Sequence, residues 1–170
     1  MVIPTNRPLV LLGFMGSGKS TLGRQLAVAL NFNFIDLDRF IETEENRKIP
    51  EIFEMDGEPV FRRIEFSALK RVLSNPRQVI SIGGGAPCYP GSLQFIKDHS
   101  LSVYLKVSEQ QLFQRLSYSS TARPLLEGKS ESELQSYISD LLKIREPIYN
   151  QADIIIESDA ITAEMILAGI

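Results

Sequence analysis

The sequence predicts an α/β fold in which helices flank a parallel sheet. Three observations lead to this prediction. Short apolar runs of strand length recur along the chain, segments with helical spacing of apolar residues separate them, and a glycine-rich turn joins the first strand to the first helix. Such alternation is typical of parallel sheets, because each parallel strand needs a long crossover connection.

The predicted elements follow one another without a linker or repeat. Strands are expected at 9–12, 32–35, 79–82, 102–105 and 153–156, and helices near 19–30, 38–45, 58–74, 108–117, 131–146 and 160–168. Right-handed crossovers bring the carboxyl ends of several strands to one edge of the sheet. We therefore expect ligands to bind at that edge.

Composition limits the partners of the chain. Its 170 residues, 44% of them hydrophobic, suit a single domain over 1–170. The net charge of -3 provides no global basic field for nucleic acid or an anionic membrane. The single cysteine, Cys88, excludes an internal disulfide and fits the cytoplasm, and no apolar run approaches membrane-spanning length.

Residues 13–20 match the phosphate-binding pattern G-x-x-x-x-G-K-[ST] between a buried strand and a helix. Glycines let main-chain N–H groups point at phosphate oxygens, and the helix start adds further unpaired N–H groups. Lys19 is expected to reach the β and γ phosphates, and the Ser20 hydroxyl to bind Mg²⁺. The motif predicts a P-loop NTPase fold that holds a nucleoside triphosphate, with contacts from Gly16, Ser17, Gly18, Lys19, Ser20 and Thr21.

Two carboxylates, Asp36 and Asp38, follow the second predicted strand beside this loop. One can bind the metal through water, while the other accepts the proton of a substrate hydroxyl. The alternative for Asp38 is helix capping, since aspartate is a preferred N-cap residue.

The triplet Gly83, Gly84 and Gly85 follows the third strand at the same edge, where its backbone can approach a ligand. A flexible connection is the alternative.

Arg145 continues the apolar helical stripe of 134, 138 and 141, and a guanidinium there needs a carboxylate or phosphate partner, either on a ligand or in a structural ion pair. Arg62 could likewise pair with a ligand or with a protein carboxylate, and its three-residue spacing to Glu65 fits a modest ion pair on the helix surface.

The polar segment 117–129 has the composition of a lid, from which Arg123 can swing onto the triphosphate and stabilise charge during transfer. A surface loop without function is the alternative. Arg115, on the preceding helix, can stack on the nucleotide base or be a solvated surface residue.

Taken together, these residues resemble the shikimate kinase family. The resemblance rests on segments that occur in the family's order over about residues 8–155: 13–21, Asp36-Leu37-Asp38, Phe53, Gly57-Glu58, 61–65, Gly83-Gly84-Gly85, 123–126 and 145–149. It implies a five-stranded parallel sheet of order 2-3-1-4-5 in a nucleoside-monophosphate-kinase-like fold, with a substrate-binding region at about 36–65 and a lid.

The resemblance also implies the reaction, which is transfer of the ATP γ-phosphoryl group to the 3-hydroxyl of shikimate in aromatic amino-acid biosynthesis. By analogy Asp38 binds substrate hydroxyls and acts as base, Arg62 and Arg145 bind the carboxylate, and Gly84 adds a backbone contact. Lys19 and Arg123 would contact phosphates, with Ser20 and Asp36 at Mg²⁺. A monomer is expected.

One departure concerns the nucleotide base. After Arg145 the chain contains no lysine or arginine, whereas relatives often carry a basic residue beside the adenine in this region.

Two other functions share parts of this sequence pattern. A gluconate-kinase-like or nucleoside-monophosphate kinase shares the loop and sheet, but the sequence lacks a D-G-F-P-R motif. A guanine-nucleotide switch would carry N-K-x-D, which is also absent.

Overall fold

The computed structural model describes residues 7–118 and 128–170. Within this part of the chain the strands are β1 (Leu9–Leu12), β2 (Asn33–Asp36), β3 (Gln78–Ser81), β4 (Leu101–Lys106) and β5 (Ile154–Glu157). They form one parallel sheet of order β2-β3-β1-β4-β5. The predicted fold class and strand order are confirmed.

Eight α-helices and one short 3₁₀ helix connect and flank these strands in the described part of the chain. A short 3₁₀ helix over Ala86–Cys88 follows β3. The α-helices are α1 (Lys19–Leu30), α2 (Leu37–Glu45), α3 (Ile49–Asp56), α4 (Glu58–Leu73), α5 (Ser92–His99), α6 (Glu109–Ser117), α7 (Glu131–Tyr149) and α8 (Ala163–Gly169).

The central strand β1 is buried along its whole length, as expected for a parallel strand covered on both faces. Its alternate side chains enter two separate core clusters. Val10 and Leu12 pack with residues of α2, α3 and α4, whereas Leu9 and Leu11 pack with α1 and α8. The sheet is therefore held between two helical layers.

The register of β1 fixes the position of the functional turns. Leu11 lies opposite Ser81 of β3 and opposite Val103 of β4. The turn after β1 and the turn after β3 therefore leave the sheet side by side. A Cβ atom built on Gly84 would lie 3.4 Å from the Gly13 carbonyl oxygen, which shows how closely the two turns approach.

Several element bounds differ from the sequence prediction. Helices α3 and α5 were not predicted, because each has only eight residues and is stabilised by packing more than by a long periodic pattern. Helix α7 continues through Pro147 to Tyr149, three residues beyond its predicted end. Among the helices that the structure describes, none combines the length and apolar character needed to cross a bilayer.

Candidate active site

The turn between β1 and α1 has the backbone conformation that the phosphate-binding motif requires. Gly13, Gly16 and Gly18 have φ angles of 145°, 82° and 96°, a region that favours glycine. At Gly13 a Cβ atom would also lie 2.9 Å from the Leu105 carbonyl oxygen. Helix α1 begins at Lys19 directly after this turn, so its unpaired first-turn N–H groups lie beside the loop.

The Lys19 side chain is folded into the loop. Its Nζ atom donates to the carbonyl oxygens of Gly13 at 2.9 Å and Phe14 at 2.8 Å, and the residue is buried. These carbonyls hold the ammonium group beside the start of α1. A cation is therefore present where phosphate would meet the loop.

A hydroxyl and a carboxylate from two different elements meet next to the loop. Ser20 Oγ donates to Asp36 Oδ2 at 2.8 Å and lies 3.3 Å from Ser81 Oγ. The other Asp36 oxygen accepts from the Arg39 N–H and caps α2. Capping by Asp38 is therefore wrong, because Asp38 lies within the first turn of α2.

The Ser20 and Asp36 side chains fit a magnesium ion. Mg²⁺ prefers oxygen ligands and commonly takes one or two from the protein, with the remainder from phosphate and water. Ser20 and Asp36 supply a hydroxyl and a carboxylate at hydrogen-bonding distance from each other.

Two further carboxylates, Asp38 and Glu65, face the glycine turn after β3. A Cβ atom on Gly83 would lie 3.2 Å from Glu65 Oε1 and 3.3 Å from Asp38 Oδ1. Burial, reinforced by the Asp36 charge, raises the pKa of Asp38 to about 6. Burial also raises the pKa of Glu65 to about 7, although the Arg62 charge opposes this shift. A base with a pKa just below neutrality suits proton transfer from a hydroxyl.

Arg62 projects from α4 towards the same turn. Its Nη1 donates to Glu65 Oε2 at 2.7 Å and its Nη2 to Glu58 Oε1 at 3.0 Å. The expectation of a surface pair with Glu65 is wrong, because Glu65 is only 2% exposed. A Cβ atom on Gly85 would lie 2.6 Å from Arg62 Nη2, so a larger residue here would require this guanidinium to shift.

Arg145 projects from α7 onto the neighbouring glycine. A Cβ atom on Gly84 would lie 3.2 Å from Arg145 Nη1 and 3.2 Å from the Tyr149 hydroxyl. The triplet is therefore a tightly packed turn and not a flexible connection. Within residues 7–118 and 128–170, Arg145 forms no ion pair with a carboxylate, which removes the structural ion pair as an explanation for that part of the chain.

Arg115 links the phosphate loop to the segment after β5. Its guanidinium donates to the Gly16 carbonyl oxygen at 3.1 Å and to the Asp159 carbonyl oxygen at 2.6 Å. Arg115 is thus half-buried and bonded to two backbone oxygens, which differs from a solvated surface arginine. It lies next to the loop.

One cavity of about 640 Å³ joins these groups. The phosphate loop, three carboxylates and three arginines border it, and apolar residues of α3 and α4 complete its wall. Arg123 and most of the predicted lid, residues 119–127, lie outside the described residues. The lining comprises Met15, Gly16, Gly18, Lys19, Ser20, Thr21, Asp36, Asp38, Ile49, Phe53, Phe61, Arg62, Glu65, Ser81, Ile82, Gly83, Gly84, Gly85, Arg115 and Arg145.

A phosphate loop that shares its cavity with two guanidinium groups and a buried carboxylate defines a P-loop kinase of small molecules. A family model described as shikimate kinase matches residues 15–170. The shikimate kinase of Parabacteroides distasonis is 39% identical over 154 residues, which cover 91% of this chain and 89% of that protein. The chain belongs to the shikimate kinase family.

Solved structures agree with this assignment. The shikimate kinase of Bacteroides thetaiotaomicron has a TM-score of 0.87 at 40% identity and covers 90% of this chain, with 87% of its own chain matched. That of Acinetobacter baumannii, solved in complex with shikimate, has a TM-score of 0.86 at 36% identity, covering 96% of this chain and 90% of its own. The predicted family and enzyme class are confirmed, and both alternatives, a gluconate-kinase-like enzyme and a nucleotide switch, lose their support.

Two residues of the site escaped the sequence prediction. Glu65 was assigned to the surface, although it falls on the buried stripe of Phe61, Ala68 and Val72. Tyr149 belongs to the segment 145–149 of the family resemblance but was given no role, and α7 was expected to end before Pro147. A charged residue on an apolar stripe is the signal that identified Arg145, and it also applies to Glu65.

Proposed function

We propose that this chain transfers the γ-phosphoryl group of ATP to the 3-hydroxyl of shikimate, giving shikimate 3-phosphate and ADP in aromatic amino-acid biosynthesis. The observation that carries this proposal is the shared cavity of the phosphate loop, the Asp38 carboxylate and the Arg62 and Arg145 guanidinium groups. Shikimate presents a carboxylate on one side of its ring and hydroxyls on the other. The cavity offers cations for the first and a base for the second.

The acceptor half positions shikimate. Arg62 and Arg145 bind its carboxylate, because their planar guanidinium groups match a carboxylate in charge and geometry. The glycine turn adds backbone contacts at Gly83, Gly84 and Gly85. Asp38 accepts the proton of the attacking hydroxyl, whose oxygen forms the new bond to the γ phosphorus as the bond to ADP breaks.

The phosphate half binds and aligns ATP. Main-chain N–H groups of the loop and residues 16–21 contact the phosphates, and Lys19 neutralises charge that develops on them. Ser20 and Asp36 would hold Mg²⁺, Asp36 through water. When bound, Mg²⁺ neutralises phosphate charge during transfer. Arg115 lies next to the loop and contacts the base side of the nucleotide.

Arg123 would complete the charge stabilisation from the lid. The polar composition of 117–129 supports this role, since closing such a segment excludes water and brings a cation to the phosphates. We further propose a monomer that acts in the cytoplasm on ATP and shikimate, with no nucleic-acid or membrane partner. The acidic composition and the single cysteine support this part of the proposal.

A coupled ADP-release assay with ATP, Mg²⁺ and shikimate tests the function. The wild type should turn over shikimate far faster than gluconate or AMP. The Asp38→Asn variant should lose most of this rate. Asp98→Asn, a change at an exposed position on α5, should not. Faster release of ADP with gluconate or AMP than with shikimate would contradict the proposal.

A further inference from the structure

Tyr149 is a buried tyrosine at the carboxyl end of α7, one helical turn beyond Arg145. Its ring packs against Tyr104 of β4 with the centroids 5.1 Å apart. Its hydroxyl donates to the Gly84 carbonyl oxygen at 2.5 Å, across 65 residues of sequence. The end of α7 is thereby bonded to the glycine turn that borders the acceptor half of the cavity.

The same hydroxyl lies beside the Arg145 guanidinium. A Cβ atom on Gly84 would meet Tyr149 Oη and Arg145 Nη1 at an equal distance of 3.2 Å. Burial raises the pKa of Tyr149 above its usual value, while the Arg145 charge opposes this shift. The phenol therefore stays protonated at neutral pH and keeps its hydrogen bond to the turn.

Arg145 and Gly84 meet only if the end of α7 stays close to the turn after β3. The two elements are not joined by strand pairing, since α7 is a helix and the turn lies beyond the end of β3. The Tyr149 hydroxyl supplies a direct polar link at this junction. Its loss would let the Gly84 peptide and the Arg145 guanidinium shift relative to each other while the tyrosine ring still fills the core.

We propose that Tyr149 is a positioning residue for the acceptor carboxylate. Through its hydrogen bond to Gly84 it fixes the distance between the glycine turn and Arg145, and thus the geometry in which both meet the carboxylate of the substrate. This inference rests on the proposed function. It concerns shikimate binding, because the Tyr149 hydroxyl is bonded to Gly84 and lies beside Arg145, the two groups proposed to meet the carboxylate.

The Tyr149→Phe variant tests the proposal, since it removes one oxygen and keeps the ring. The KM for shikimate should rise about threefold to tenfold, the usual effect of losing one hydrogen bond. The kcat and the KM for ATP should stay within about twofold of the wild type, because the phosphate half is unaffected. Tyr137→Phe is the matched control, because Tyr137 lies earlier on α7 and faces Lys129.

A second readout separates positioning from a general structural role. The preference for shikimate over its methyl ester, measured as a ratio of kcat/KM values, should fall in Tyr149→Phe by about the same factor as KM rises. A structural defect would lower the kcat/KM for shikimate and that for its methyl ester by the same factor. An unchanged shikimate KM or an unchanged preference overturns the inference.

Folding of the variant is checked by its thermal unfolding. If Tyr149→Phe does not fold, Gly84→Ala tests the same contact from the other side, because its Cβ atom would lie 3.2 Å from both Tyr149 Oη and Arg145 Nη1 and would force these groups to shift. A raised shikimate KM with an unchanged ATP KM is expected, and a normal shikimate KM overturns the proposal. Failure of the wild type to phosphorylate shikimate would instead overturn the proposed function, so the two failures are distinct.

Discussion

The two halves of the cavity are built in different ways. The phosphate half comes from one continuous segment, residues 13–20, and relies on backbone conformation and the start of α1. The acceptor half collects side chains from α2, α4 and α7 around the glycine turn. A continuous motif fixes the first half locally, whereas the second exists only when the sheet and three helices are packed.

The halves also differ in how their cations are held. Lys19 donates to neutral carbonyl oxygens of its own loop. Arg62 is paired with Glu65, a buried carboxylate whose pKa burial raises to about 7. A change of pH near neutrality therefore alters the charge of Glu65, which lies in the acceptor half. The contrast leads to four predictions, from the largest effect to the smallest.

Lys19→Ala should nearly abolish turnover, because the loop loses the cation that stabilises charge on the transferring phosphoryl group. We expect kcat to fall by at least about 100-fold. The coupled ADP-release assay measures the loss, and Lys143→Ala, an exposed change on α7, serves as the control. A kcat within tenfold of the wild type would show that the phosphate half does not depend on this cation.

Asp38→Asn should impair both rate and binding in the acceptor half. Loss of the base is expected to lower kcat by about 100-fold or more. In the wild type, kcat/KM for shikimate should fall as pH decreases through about 6, because Asp38 must be deprotonated to accept the proton. The variant should lose this acidic limb. A pH profile that Asp38→Asn leaves unchanged would assign the titration to another group.

Arg145→Ala should chiefly raise the KM for shikimate, by about tenfold or more, the cost of losing a charged hydrogen-bond donor to a carboxylate. The KM for ATP should change little, which separates the two halves experimentally. Arg63→Ala is the matched control, because Arg63 is exposed on α4. Near-normal saturation by shikimate would remove Arg145 from the carboxylate site.

Glu65→Gln should alter how stability depends on pH. The pKa of Glu65 is raised from 4.5 to about 7 on folding, so between these values the folded chain retains a proton that the unfolded chain has lost. Its stabilising contribution is full below 4.5 and is lost as pH rises through 7. Relative to the variant, the free energy of unfolding of the wild type should fall by about 3 kcal/mol across this window.

Urea unfolding at several pH values on both sides of the window measures this difference. Glu54→Gln, an exposed change on α3, should give a curve parallel to that of the wild type. Parallel curves for Glu65→Gln and wild type would mean that Glu65 titrates normally in the folded chain.

Sequence reasoning succeeded where the information is local. The motif at 13–20 predicted the loop and the start of α1, and the alternation of elements predicted the sheet. Arg145 was identified because a guanidinium interrupts an apolar stripe, and it does lie at the cavity. The roles of these residues stay predictions until the variants are measured.

Tertiary contacts explain what the sequence did not reveal. Glu65 was expected at the surface, because its three-residue spacing to Arg62 suggested a surface pair, although its place on the apolar stripe of α4 was a signal of burial. Tyr149 was overlooked because proline usually ends a helix. The short helices α3 and α5 depend on packing, which no local pattern encodes.

The glycine turn after β3 has a consequence for drug resistance. Every substitution at Gly85 adds a Cβ atom, which would lie 2.6 Å from the Arg62 guanidinium. Resistance mutations commonly arise by enlarging a side chain at an inhibitor contact, but at this position the enlargement would also force the Arg62 guanidinium, which we propose binds the substrate carboxylate, to move. An inhibitor that bonds to the Gly85 backbone would therefore meet resistance mutations that also disturb the proposed carboxylate site.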